Sequence, residues 1–410
     1  MGKNYERHIM QKNTILKFTL CAVFFLMLLI GEPCFAQRDT ADTDGIESQI
    51  VKQQAKTAGI NRITEELSKY VNDERAEILE DFNPEEIIND ASEGRFEFNF
   101  KSVLNNILRY LFNELYQNID ILIKLAVLIV ICALLNNLQA SFFREGAGEI
   151  AFYACFILIV SVLLVSFGTA MKMGMQIIDD MVGFMYASFP VLVTLLVAGG
   201  NITSGGVFQP VLLMAVEITA TIIKNVFMPL IYLSTIISII NNISDKIQLK
   251  RLADFIKQAT TWALGSVLTI FIGIVSLQGS LGAVIDGVTS KAAKFAIGAF
   301  IPVVGKTLSD AADTVIGCTL LIKNAAGVVT LIGILVICAV PLIKLIAMIL
   351  LYKAASALFE PISEKRITNC ISEIAGSMVH IFAITVAVSI MFIISVTALI
   401  SAGNLSAMLR

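Results

Sequence analysis

Residues 297–314 read IGAFIPVVGKTLSDAADT, and Gly305-Lys306-Thr307 within them is the ending of a phosphate-binding loop. That chemistry needs a glycine five residues ahead of Gly305, so that successive backbone N–H groups can wrap a phosphate. Position 300 is Phe300, the nearest glycine is Gly298, and Pro302 deletes one of the donors a cradle would use. A nucleotide site does not fit. Other constellations are as thin: there is no HExxH, no GxSxG, no Cys/His cluster and no carboxylate pair beside a histidine. His380 is the one histidine beyond residue 36, and its place near the start of an apolar run suits core or interface packing. These residues ask for no enzyme, no cofactor and no metal.

The elements that carry them belong to a membrane. Hydrophobic residues make up 56% of the 410 and charged ones 15%, against roughly 25% charged in soluble domains. From Ile119 onward, long apolar runs alternate with short polar breaks. Spans are expected at 119–139, 150–169, 182–200, 207–223, 225–241, 262–285, 325–341, 343–360 and 376–400. The pairs 207–241 and 325–360 are too long for one crossing and short for two. Pro229 and Pro341 within them could mark kinks or tight hairpins, so the count is seven to nine. The fold class is all-α: a polytopic helical bundle, 119–410, behind a small helical extracytoplasmic segment.

Residues 1–36 have the form of a cleaved signal peptide. Lys3, Arg7, Lys12 and Lys17 precede the apolar run FTLCAVFFLMLLI, and Cys34-Phe35-Ala36 offers a cleavage site. Residues 37–118 then hold 17 acidic and 9 basic side chains, whereas 119–410 holds 17 basic and 14 acidic, which sets a domain boundary near Asn118. The exported segment contains no cysteine, so it has no disulfide framework. Its last part, NFKSVLNNILRYLFNEL (99–115), gathers apolar residues on one broad face. That pattern fits a helix on the membrane surface feeding the first span, and equally a helix packed on its own small domain.

The loop DKIQLKRLADFIK carries Lys246, Lys250, Arg251 and Lys257, the strongest basic cluster between spans. It is expected in the cytoplasm, where it could dock an acidic partner. Glu364-Lys365-Arg366 favours the same side, which the expected spans reconcile only if 286–324 crosses the membrane. That segment is neither polar enough for a loop nor apolar enough for a span. It is expected to be interrupted or re-entrant, helix–break–helix at IPVVGK, with Gly298, Pro302, Gly305, Lys306, Asp310 and Asp313 as candidate conduit or break residues. An amphipathic surface helix fits its length as well. Glu217 and Lys224, seven apart on one helical face, and Lys344 are the intramembrane charges that invite a function; the rest lie where long side chains snorkel.

Four stretches carry a resemblance: SLQGSLGAVIDGVTSKAAKFAIGAFIPVVGKTLSDAADTV (276–315), ASFPVLVTLLVAGGNITSGGVFQPVLL (187–213), IISIINNISDKIQLKRLADFIK (236–257) and TALISAGN (397–404). They closely resemble the stage III sporulation protein AE family of endospore-forming bacteria, from about Asn99 to the C-terminus. The resemblance implies a multi-pass protein of the mother-cell membrane around the forespore, its N-terminal segment between the two membranes. It implies a non-enzymatic part in a secretion-like channel complex that supports forespore development and late forespore gene expression. The implied partners are the other A-operon proteins, including the AA ATPase and the AG and AH ring proteins, and stage II sporulation protein Q through the complex; nucleic acid is not among them. No functional residue carries over. The alternative is a stand-alone secondary transporter of a small solute, a class in which broken helices recur in repeated halves; 207–241 and 325–360 show no sequence repeat with each other.

Overall fold

The computed structural model describes residues 60–70, 100–142, 147–243, 248–300 and 305–408, and every regular element among them is helical. The stretch 1–36, expected to be a signal peptide, lies outside the described residues. We number the helices α1 (Ile60–Tyr70), α2 (Phe100–Gln117), α3 (Ile119–Phe142), α4 (Ala147–Ala198), α5 (Ser204–Ile243), α6 (Lys250–Phe300), α7 (Gly305–Phe359) and α8 (Lys365–Met408). Six helical stretches are long and apolar enough to cross a membrane: α2 running into α3, then α4 to α8.

The nine expected windows fall on these six stretches. The chain does not turn between 150–169 and 182–200, because α4 is one helix of 52 residues. Lys172, Asp179 and Asp180 interrupt its hydropathy without breaking its backbone. The stretch 207–241 is likewise one ribbon, not a hairpin. It contains two π-helical turns, Ser204–Phe208 and Ile223–Phe227, each followed two residues later by a proline, Pro210 and Pro229. A proline in a regular α-helix deletes one N–H and collides with the carbonyl four residues back. The preceding turn is widened, with Met228 N–H donating to the Ile223 carbonyl five residues back. Pro341 sits inside α7, which runs unbroken from 305 to 359.

At ~1.5 Å per residue, α4, α6 and α7 are each roughly 75–85 Å long, against a hydrocarbon layer of ~30 Å. The core lies where α4, α7 and α8 meet. Phe156, Phe167, Phe184 and Phe189 of α4, Ile337, Leu345 and Tyr352 of α7, and Met378, Val388 and Phe392 of α8 are buried there. α3 and α6 lie at the periphery and show much of their apolar surface.

The ends of the bundle differ. At one end the start of α4, the end of α5, the start of α6 and the α7–α8 turn converge. Arg366 donates to Tyr153 Oη and the Ile243 carbonyl, Lys257 meets Glu373 at 2.9 Å, and Asn241 caps the start of α6. At the far end, α4 turns into α5, and α6 and α7 approach with Lys294 and Asp313 paired at 2.7 Å. Residues 37–118 enter this picture through α1 and α2. α1 buries Ile63 and Leu67 against α4 and α7, with Leu67 and Phe184 closing over Gly333 and Tyr70 reaching Gly183. α2 sets Tyr110, Ile107 and Leu111 on Ala339, Val340 and Ile343 of α7, while Leu108 and Phe112 stay exposed. The contact is with the membrane bundle and not, among the described residues, with a small domain of its own.

Candidate functional site: a buried polar junction

At the far end, one chain reversal and two charged side chains form a polar junction inside apolar helices. α4 stops at a Schellman turn: Asn201 N–H donates to the Leu196 carbonyl at 3.1 Å and Gly200 N–H to that of Val197 at 2.9 Å. Gly200 takes φ 81°, a left-handed conformation costly for a residue with a Cβ. Asn201 is fully buried and its side chain donates back to the Leu196 and Gly199 carbonyls.

The chain then enters α5, whose first N–H groups need acceptors. Asp286 of α6 supplies them. Its two carboxylate oxygens accept from Thr203 N–H at 2.8 Å and Ser204 N–H at 2.9 Å. The carboxylate is 1% exposed, and among the described residues no cation pairs with it. A helix N-terminus carries partial positive charge, so the site holds the anion by dipoles rather than by an ion.

Lys323 of α7 is the complementary case. It too is 1% exposed, and its ammonium donates to the Ile400 carbonyl at 2.6 Å and Asn404 Oδ1 at 3.2 Å, both on α8. α8 fits around it because residue 403 is glycine: a Cβ there would collide with Lys323 Nζ and crowd Leu196. Between the two sites, Ser204, Gln278, Gly279, Leu399 and Ala402 help line a cavity of about 20 Å³, room for one water. Ser204 Oγ is buried there without a hydrogen-bond partner. The junction thus fixes α4, α5, α6, α7 and α8 through groups that can bind polar or ionic species. Among the described residues no three His, Cys, Asp or Glu side chains gather as metal ligands.

The residues singled out from the sequence are dispersed. Gly298 lies in α6, Gly305 opens α7 with Lys306 in its first turn, and Pro302 lies outside the described residues. Asp310 is exposed and Asp313 pairs with Lys294. Glu217 and Lys224 both face α4: Tyr186 Oη donates to Glu217 at 2.7 Å, and Lys224 bonds both Asp179 oxygens. Lys344 is half-buried in α7. Of the basic cluster, Lys246 lies outside the described residues, Lys250 and Arg251 are exposed, and Lys257 is buried on Glu373 and so is no surface contact. Asp286 and Lys323 were missed. The first is the one charge between Lys257 and Lys291, a signal as strong as Glu217, but it stood at the edge of an expected span.

A family model described as stage III sporulation protein AE matches residues 82–403. The chain belongs to the stage III sporulation protein AE family. The match takes in Asn201, Asp286, Lys323 and Gly403, and it begins beyond α1. The chain is also 35% identical over 317 residues to the stage III sporulation protein AE of Bacillus subtilis (strain 168), an alignment covering 77% of this chain and 79% of that protein. No solved structure matches the chain. Three of the four stretches through which the sequence resembles the family, 187–213, 276–315 and 397–404, meet at the junction.

Proposed function

We propose that this multi-pass membrane protein is a non-enzymatic component of the secretion-like channel complex linking mother cell and forespore during endospore formation. It sits in the mother-cell membrane with its N-terminal segment in the intermembrane space. The observation that carries the proposal is the family match across the whole membrane domain. The energy for transport comes from the AA ATPase, in keeping with the missing glycine of the 297–314 loop. The AG and AH ring proteins and stage II sporulation protein Q complete the conduit.

The ends of the bundle support the orientation. Lys250, Arg251, Lys365 and Arg366 collect at one end, which the positive-inside rule assigns to the cytoplasm. Six crossings from an exported N-terminus put both α5–α6 and α7–α8 turns on that side, so Glu364-Lys365-Arg366 no longer needs a separate crossing by 286–324. Lys250 and Arg251 are then the exposed cations that would meet a cytoplasmic partner. The test is a chain with single cysteines at Arg251 and at Asp310, labelled in sporulating cells with a membrane-impermeant maleimide. Asp310→Cys should label while engulfment is incomplete and the intermembrane space is open to the medium, and Arg251→Cys only after permeabilisation. Co-purification of the tagged chain with the AA and AG proteins should accompany normal sporulation, and a deletion strain that sporulates normally would sink the proposal. Solute uptake by the purified protein alone in liposomes would favour the transporter instead.

A further inference from the structure

α3 is a ruler for the bilayer. Its 24 residues reach about 36 Å, little more than one hydrocarbon layer, whereas α4 to α8 are all longer. Arg366 bonds both Tyr153 of α4 and the Ile243 carbonyl of α5, so these residues share one height at the basic end. Residues 143–146 join α3 to α4 there, and counting back along α3 places Ile119 about 26 Å above Tyr153. Had α2 continued along the axis of α3, Tyr110 would stand about 13 Å higher still. Instead Tyr110 packs on Val340 and Ile343 of α7, about 24–28 Å from Phe359. α2 therefore turns aside at Asn118 and crosses the bundle at the height where α3 begins.

Other helices mark the same height. From Tyr153, α4 carries no charge until Lys172, and from Ile243, α5 carries none until Lys224, each about 28 Å away. Lys172 is exposed, and Lys224 and its partner Asp179 are both partly exposed. α1 shows Arg62, Glu65 and Lys69 on its outer face and docks at Gly333, about 39 Å from Phe359 and so clear of lipid tails. The surface of α2 itself has three sectors. Ile107, Tyr110 and Leu111 meet α7, while Leu104, Leu108 and Phe112 (68% exposed) look outward. Asn105, Arg109 and Asn113 run along the edge of that outward face. The exposed charges of α2, Lys101 and Arg109, are both cations, since Glu114 is buried.

We propose that α2 is an interfacial helix seated in one leaflet of the bilayer, with Leu104, Leu108 and Phe112 among acyl chains and Lys101 and Arg109 reaching lipid phosphates. Position and charge select this occupant. The helix runs directly into a span at the height where hydrocarbon ends, and a second copy of α2 would bring cation against cation. The hydrocarbon then stops at mid-bundle. Asp286 and Lys323, each about 54 Å from the basic end, stand roughly 25 Å beyond it, and Lys224 and Glu217 lie at or past its surface rather than within it. This holds for either orientation in the membrane and does not depend on the channel reading. α6 supplies the discriminating position. Beyond Lys257 it shows no exposed charge until Lys291, so Leu281, about 47 Å from Lys250, would suit lipid by composition alone.

The experiment reads tryptophan fluorescence of the full-length protein in vesicles of phosphatidylcholine and phosphatidylglycerol, brominated on the acyl chains either near the headgroup or near the chain end. Trp262, the sole tryptophan, lies about 18 Å from Lys250 and should be strongly quenched in the unaltered chain. In a Trp262→Phe background, Phe112→Trp should be quenched several-fold more by bromine near the headgroup than by bromine near the chain end. Leu281→Trp in the same background should be quenched by neither. Absence of quenching at Phe112→Trp, a preference there for bromine near the chain end, or quenching at Leu281→Trp as strong as at Trp262 would each overturn the proposal.

Discussion

The two ends of the bundle handle buried charge in opposite ways. At the basic end, charge meets charge: Lys257 and Lys250 share Glu373, and Arg366 lies 3.5 Å from Glu364. At the far end, apart from the half-exposed Lys294–Asp313 pair, the buried charges meet uncharged groups: Asp286 is held by two N–H groups and Lys323 by a carbonyl and an amide oxygen. A paired charge can lose its partner and turn to water or a neighbour, since Glu373 keeps about a quarter of its side chain exposed. A charge that terminates a helix also satisfies that helix's orphan donors, so removing it leaves polar backbone stranded in an apolar setting. The far end should therefore be the more brittle.

Asp286→Ala is expected to cost most, about 3 kcal/mol or more, because two buried N–H groups lose charged acceptors together. Thermal unfolding of the detergent-solubilised protein should show it, with Asp286→Asn milder because one acceptor oxygen survives. Equal losses for the two variants would mean that the charge, not the helix cap, matters. Gly403→Ala comes next, at about 2 kcal/mol, since its Cβ must displace either the Lys323 ammonium or Leu196; limited proteolysis near 400 should accelerate. Lys257→Met should cost about 1 kcal/mol, and a double-mutant cycle with Glu373→Gln measures the pair itself. A coupling energy above that for Asp286 would reverse the proposed contrast. Lys224→Ala is smallest, about 0.5 kcal/mol, because Lys224 and Asp179 keep 35% and 48% of their side chains exposed.

Helical content and the membrane class were legible because hydropathy is a direct record of solvent. The backbone path was not. Lys172, Asp179 and Asp180 look like a loop only if polar residues imply a turn; in α4 they mark a change of surroundings along one continuous helix. Pro229 looks like a hairpin because nothing in composition announces a π turn, although VFQP and VFMP, at 207–210 and 226–229, flank both turns in nearly the same words. Glu217 and Lys224 were expected on one face, and both reach α4. The junction escaped notice because its chemistry is a relation between distant segments. Asp286 is informative only once Thr203 is beside it, and Lys323 only once Ile400 is. Gly305-Lys306-Thr307 drew attention by likeness to a motif, yet its neighbourhood offers the Lys294–Asp313 pair rather than a cradle.

The π turns carry an engineering consequence. Each holds one residue more than the α-helical turn it replaces. Deleting a single codon within 223–227 would let the turn close to the α-helical count, leaving Glu217 and the Ser204 end aimed as before while bringing Pro229 against the helix it now clears. The same deletion in the regular part of α5 would re-index everything before it by about 100° around the axis. Length variation among relatives at 223–227 is therefore worth scanning, since a gap of one there signals a trimmed bulge rather than a re-aimed helix.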